Sequence, residues 1–509
     1  MRSFPWTQAT LSDPPSARLW RAVLVGVCIL LIAPLLLVDV PPLADYPNHL
    51  ARMVVLANPA DPDLVRFYAP HWAIIPDLGI DIVVPPLLHL LPVHVAGRLV
   101  LAVIVLLPVL GTVAYSRAVF GRRSWWVLGV GLVAWNQAAL LGFLNFTAGI
   151  GLGMLLAAAW IAWRERHPAR TLALAFLGAI GLFFCHLMGL ACFALLIGPY
   201  ELTWLWCHRR QAILRLLSTA ALFVVPLLLY AVSALGHMAG DMDFLPVPQK
   251  LAQLLVPFEG YVLPLDIATG VIVLATLLQG RPRATLASAL TVALLALLYL
   301  AAPFDFQGVA NFDTRFVVIL GFLLFGALRP RLSRATGLLL AALFAVRMAV
   351  LATVWAGHAS DLAQLRTAIA PVSPGSTVFL ASVPVREAPA YWAHAPLGRR
   401  LSSGLRLDGH MAALLPIERR AWWPMLFDND SQQPVTTREP YRALANRVGG
   451  EIDSDALPKV DLCGVDYVLL LEAGAIPDLD QFGNGRLSLL TRTDFAALFR
   501  VDQRKCGGT

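Results

Sequence analysis

Long apolar stretches alternate with short polar ones along the first 355 residues. A helix that crosses a bilayer needs about 20 mostly apolar residues. Eleven stretches read as spans: 20–38, 96–115, 124–141, 146–163, 171–186, 187–206, 216–235, 262–279, 284–302, 316–328 and 335–355. The run from Thr171 to Trp206 is long enough for two short helices, and His186–Gly189 is where it divides. The first stretch exceeds a usual signal-peptide core and no small-x-small site precedes Asp45, so it reads as a retained span. Ile82–Leu91 is too short to cross and reads as an interfacial or re-entrant segment.

Past residue 357 the pattern changes. This tail carries 16 Lys/Arg and 17 Asp/Glu, so it is solvated. Ser376–Val383 and Val465–Glu472 are apolar runs bounded by Pro or Gly, as buried strands are. Leu487–Leu490 and Phe495–Val501 read as a strand pair around a turn, and Asp361–Ala370 and Tyr441–Val448 as helices. The expected fold class is mainly α: a polytopic helical bundle of about eleven spans with a C-terminal α/β domain. Residues 1–356, with a long loop at 39–95, form the first domain and 357–509 the second.

Composition excludes the other classes. The 509 residues are 58% hydrophobic and 14% charged, with a mean hydropathy of +0.69. Soluble domains run about 45–50% apolar and about 25% charged, and disordered chains are poor in apolar residues.

Charge gives the sidedness. Arg18 and Arg21, Arg122 and Arg123, Arg164 and Arg166, Arg215, Arg281 and Arg283, and Arg331 and Arg334 fall in the N-terminal segment and alternate loops, against Asp13 and Glu165. The opposite loops hold Arg52, Arg66, Arg98, Lys250 and Arg315 among many more acids. Positive residues stay on the cytoplasmic side. The N-terminus is therefore expected inside, and the tail outside, of the membrane. The same asymmetry accounts for a net charge of +7 without a nucleic-acid partner. Cys463 and Cys506 both fall in the tail, where an oxidising compartment would permit a disulfide. No CxxC, HExxH, P-loop or GxSxG motif stands at a usable place. Gly149–Gly153, with glycine at alternate positions, reads as helix packing through small residues.

The richest chemistry follows the first span: Asp45-Tyr46-Pro47-Asn48-His49-Leu50-Ala51-Arg52. Pro47 suits a first helical turn, with Asp45 or Tyr46 at the cap. In a helix over 47–57, His49 and Arg52 share a face near Asp45, and Leu50, Met53, Val54 and Ala57 form the other. Asp45 could serve as general base or hold a cation, His49 could do either, and Arg52 could hold a phosphate. The plainer alternative is a capping Asp45, with His49 and Arg52 at lipid headgroups. His186 interrupts an apolar run, and an ionisable group there reads as functional or as a helix-end histidine on a carbonyl. Asn145 opens the fourth span, and Asp313 and Arg315 precede the tenth. Arg315 would suit a lipid phosphate or pair with Asp313 or Asp305. His71 and Trp72 could stack a sugar or anchor at the interface.

The arrangement resembles the GT-C superfamily of membrane glycosyltransferases, with an acidic residue soon after the first span and an extracytoplasmic C-terminal domain. Asp45 falls where their catalytic Asp lies. Many members carry an Asp-Glu pair there, whereas Asp45-Tyr46-Pro47-Asn48-His49 is similar to an Asp-x-Pro-x-His variant found in bacterial membrane proteins. The resemblance implies transfer of a sugar from a polyprenyl-phosphate-linked donor to an extracytoplasmic acceptor. It makes Asp45 and His49 the catalytic candidates, optionally as ligands of a divalent metal ion. Arg52, His71, Trp72, Asn145, His186, Asp313 and Arg315 become the substrate-binding candidates. A flippase of lipid-linked glycans and a non-catalytic envelope assembly protein are the alternatives.

Overall fold

A computed structural model describes residues 16–208, 212–237, 242–306, 308–479, 482–483 and 485–505. Asp13 and Cys506 lie outside the described residues, and Cys463 is disulfide-bonded. In chain order the helices are α1 (Ala17–Ile32), α2 (Tyr46–Ala57), α3 (Gly79–Leu88), α4 (Val93–Phe120), α5 (Gln137–Leu140), α6 (Leu144–Trp163), α7 (Pro168–Cys185) and α8 (Leu187–Cys207). There follow α9 (Ala212–Val232), α10 (Val247–Gln253), α11 (Leu263–Gly280), α12 (Leu286–Ala301), α13 (Thr314–Gly326), α14 (Arg334–Ile369), α15 (Pro389–His394) and α16 (Tyr441–Val448). Residues 1–34, 74–80 and 100–352 form one compact unit; 35–73, 81–99 and 353–509 form the other. Most of the loop at 39–95 thus groups with the tail, whereas the sequence reading assigns it to the first domain.

In the first unit the helices follow the apolar runs. Ser16 caps α1 by accepting from Leu19 N–H at 3.1 Å, and Thr285 does the same for α12 through Ser288 N–H. Among the described residues, eight helices are long and apolar enough to cross a membrane. They are α1 with the turn that follows it, α4, α6, α7, α8, α9, α11 and α14. The chain is a multi-pass membrane protein. α12 and α13, at 16 and 13 residues, are shorter. The run at 124–141 is not a regular span. It forms a tight 3-10 helix, Trp126–Val133, and then the single turn α5. Its glycines are packed tightly: a Cβ on Gly129 would fall 2.6 Å from the Phe325 ring, and one on Gly131 2.8 Å from Phe344.

Two features of this unit position polar groups. α6 and α8 touch backbone to backbone, as a Cβ on Gly189 would lie 2.6 Å from the carbonyl carbon of Gly149. The glycine run therefore packs helices, as its small residues suggest. The chain breaks where the sequence divides it: His186 is extended at φ −172°, ψ 134°, and ends α7 while it starts α8. Arg347 shows the pairing that hydrocarbon demands of a deep charge. Arg347 donates to Asp266 at 2.9 Å and to the Phe258 carbonyl at 2.7 Å.

The second unit is built on a five-stranded sheet of order β6-β4-β7-β9-β8. Its strands are β4 (Val378–Ser382), β6 (Ile452–Asp453), β7 (Tyr467–Leu471), β8 (Leu487–Arg492) and β9 (Ala496–Val501). β4 runs parallel to β6 and β7, and β9 antiparallel to β7 and β8. Every residue of β4 and β7 is buried, so both read as continuous apolar runs. The helix expected at Asp361–Ala370 is not separate: α14 runs unbroken for 36 residues into this unit. A second, two-stranded pairing joins the first loop to the tail, β1 (Tyr68–Pro70) against β5 (Val435–Thr437), and in the first unit β2 (Met242–Asp243) pairs antiparallel with β3 (Asp305–Phe306).

Candidate functional site

The first polar group belongs to the unit that contains α2. Pro47 stands in the first turn of this helix and Asp45 at its cap position. The expected split into a polar and an apolar face does not hold, since all twelve residues of α2 are buried. The tail covers them. Asn48 donates to the Met425 carbonyl at 2.8 Å and accepts from Phe427 N–H at 2.9 Å. Tyr68 Oη donates to the Trp423 carbonyl at 3.0 Å and accepts from its N–H at 3.1 Å.

Asp45 does not cap α2 with its side chain. Its Oδ1 instead lies 3.0 Å from Nδ1 of His410, both side chains about one-fifth exposed. His410 meets the Phe427 ring edge-on at 5.2 Å, and His49 meets the same ring at 5.1 Å. The His49 imidazole is buried, with Nδ1 lacking a partner. Burial first, then the charges of Arg52 and His410, hold its pKa well below the usual histidine range. It is neutral at physiological pH, the form that accepts a proton. Arg52 does not reach into this group as a free phosphate ligand. It donates to Asp81 through Nε at 2.7 Å and Nη2 at 2.9 Å, and both side chains are fully buried. His71 and Trp72 follow β1 and are exposed, Trp72 by 55%.

The second polar group lies in the bundle unit. Asn145, in the first turn of α6, bridges the segment 77–80. It donates to the Asp77 carbonyl at 2.7 Å and accepts from Ile80 N–H at 2.8 Å. Asp77 has a left-handed backbone, φ +90°, a conformation that costs energy and clusters at functional sites. His186 Nδ1 accepts from Met188 N–H at 3.0 Å, so the neutral ring carries its proton on Nε2. That nitrogen lies 3.4 Å from Nη1 of Arg315 and 3.9 Å from Asp77 Oδ1. Arg315 lies 5.5 Å from the Phe143 ring and 5.8 Å from Phe146, and its buried Nε has no partner. Two donors thus face one point, a geometry that receives an anionic oxygen. Asp313 is occupied otherwise. It accepts from Lys250 Nζ at 3.2 Å, which also donates to the carbonyls of Tyr299 and Ala302.

The structure therefore brings Asn145, His186 and Arg315 together and sets Asp313 beside Lys250. It places Asp45 near His49, with Arg52 held by Asp81. His410, Asp77 and Asp81 carry these arrangements and were not singled out in the sequence. Asp77 precedes α3 and Asp81 stands in its first turn, an acidic helix start that the sequence displays; His410 sits in an irregular segment that offers no such signal.

No family model and no curated protein matches the sequence. Solved structures do. The chain is similar to ArnT from Cupriavidus metallidurans in the apo state, with 13% identity and a TM-score of 0.52 over 97% of this chain and 100% of that one. The same protein bound to undecaprenyl phosphate aligns with 14% identity and a TM-score of 0.53 over the same shares. The arabinofuranosyltransferase AftD from Mycobacteria aligns over 97% of this chain and 40% of that one, with 15% identity and a TM-score of 0.43. This chain shares the fold of these ArnT structures.

Proposed function

We propose that the protein transfers a sugar from a polyprenyl-phosphate-linked donor to an extracytoplasmic acceptor, in a bacterial plasma membrane with its N-terminus inside. The observation that carries the reading is the meeting of Arg315 and the Nε2–H of His186 beside two aromatic rings. A lipid phosphate needs a fixed cation and a second donor at the edge of an apolar medium, and this group supplies both. One of the similar structures holds undecaprenyl phosphate, a ligand of that chemistry.

In this reading the acceptor hydroxyl attacks the anomeric carbon of the donor. Its oxygen–carbon bond forms as the carbon–oxygen bond to the phosphate breaks, and the phosphate leaves with the electron pair. Asp45 is the candidate base for the hydroxyl proton on its own chemistry and its place after the first span. Arg315 stabilises the charge that gathers on the departing phosphate. His410 orients the Asp45 carboxylate. Among the described residues, the three carboxylate or imidazole side chains close enough to share an ion are Glu387, Asp453 and Asp455, and Arg386 already lies 2.6 Å from Asp453. Asp45 and His49 do not gather a third such ligand among the described residues.

The test is a mass-spectrometric profile of envelope glycans and glycolipids in wild type, a deletion strain, and strains carrying Asp45→Asn or Arg315→Gln at verified membrane levels. The reading expects all three altered strains to lose the same sugar. A profile changed by the deletion but by neither substitution would sink the site assignment and favour a flippase.

A further inference from the structure

We infer that the arginine-rich end of the bundle binds one acyl chain of an anionic phospholipid in a dedicated groove, separate from the polar groups above. An open groove of about 470 Å³ runs between α1, the 3-10 helix at Trp126–Val133 and the start of α14. That size suits a small organic ligand or chain. Val23, Val27, Leu132 and Phe344 line it, with Trp125, Trp126 and Arg334 as its polar-bearing members, the Trp126 indole N–H being already given to the Leu324 carbonyl.

Three observations specify the occupant. The walls are almost wholly apolar, and no acidic side chain is among the described residues that line them, so the buried part of the ligand is hydrocarbon. Arg334 is exposed, and Arg331 precedes it in the same short loop. The head is therefore anionic, since basic pockets between helices at a membrane face select acidic headgroups. Trp125 lines the groove, and its buried indole Nε1–H lacks a partner. An indole N–H normally finds an acceptor when buried, and an ester or phosphate oxygen at the chain's head provides one. A zwitterionic lipid would satisfy the walls but gain little from Arg334. A folded protein segment would satisfy neither the walls nor the charge.

The experiment uses the full chain in nanodiscs that contain phosphatidylglycerol or phosphatidylcholine, each with a diazirine midway along one acyl chain. Illumination and peptide mapping locate the label. Label from phosphatidylglycerol should concentrate on α1 and the first turns of α14, and exceed that from phosphatidylcholine. Arg334→Glu should lower it about fivefold, the weight of one basic residue at an anionic surface. Ala341→Trp fills the groove from an exposed position and should abolish the label there for both lipids. Equal labelling by the two lipids, or labelling unaffected by both substitutions, would overturn the assignment. So would displacement of the label by equimolar polyprenyl phosphate, which would give the groove to the donor instead. Glycan transfer is not read, so failure here leaves the proposed function standing, and the reverse.

Discussion

Asp45 and His410 face each other across 3.0 Å, one at the start of a first-loop helix and the other deep in the tail. The Asp45 side chain thereby has a positioned neighbour and does not serve as a helix cap. As general base it should contribute about 100-fold or more to the transfer rate, so Asp45→Asn should be nearly inactive. His410→Ala should retain activity but lower it about tenfold, with membrane level and melting temperature unchanged. Normal activity in His410→Ala would show that the contact is incidental.

The Arg52–Asp81 pair predicts a different failure. Both partners are fully buried and doubly bonded, and removing one partner of such a pair costs about 3–5 kcal/mol. Arg52→Met and Asp81→Leu should each lower the amount of folded protein in the membrane. The double variant, which leaves no unpaired charge, should recover much of it. Equal loss in the single and double variants would contradict this and return Arg52 to a role in binding.

Much of this arrangement is legible in the sequence, and the exceptions have physical causes. Spans, the break at His186, the start of α2 at Pro47 and the strands of the tail follow from local hydrophobic pattern and backbone chemistry. That pattern cannot distinguish a tight 3-10 helix from a span at 124–141, because both are continuous apolar runs. Nor can it show that a second layer covers a helix, so Arg52 reads as surface until Asp81, 29 residues on, is seen to hold it. Asp45 is found by its position after the first span. His410 is placed only by tertiary folding, in a segment without periodicity.

Glu472 predicts a pH dependence of stability. It is fully buried, bonded by Tyr391 at 2.6 Å and by Arg399, and it faces Asp408. Burial, reinforced by the Asp408 charge, pushes its carboxyl up from about 4.5 to about 8. Between those values the folded chain keeps a proton that the unfolded chain releases. Stability should therefore fall as pH rises through that window and level off above it. The melting temperature of the purified protein should drop between about pH 5 and about pH 9, and Glu472→Gln should flatten the drop. An unchanged slope in the variant would assign the dependence to another group.

The contact of α6 with α8 predicts a steric failure. A Cβ at Gly189 meets backbone, which cannot rotate away. Gly189→Ala should destabilise the protein by about 1–3 kcal/mol, the range for overpacking, and Gly181→Ala, with open space around it, should not. Thermal unfolding in one detergent compares the two directly.

The same contact bears on how this chain diverges. Gly189 lies three residues after His186 and Gly149 four residues after Asn145, so the glycine crossing sets the spacing on which that polar group depends. What the crossing demands of a sequence is small size at two positions, and nothing about the identity of the apolar residues around them. Drift can rewrite the lipid-facing surface almost entirely under such a constraint. A shared backbone arrangement over 97% of the chain then coexists with 13–14% identity. Chains that share this fold should be easier to recognise by where their side chains are missing than by where their charges stand.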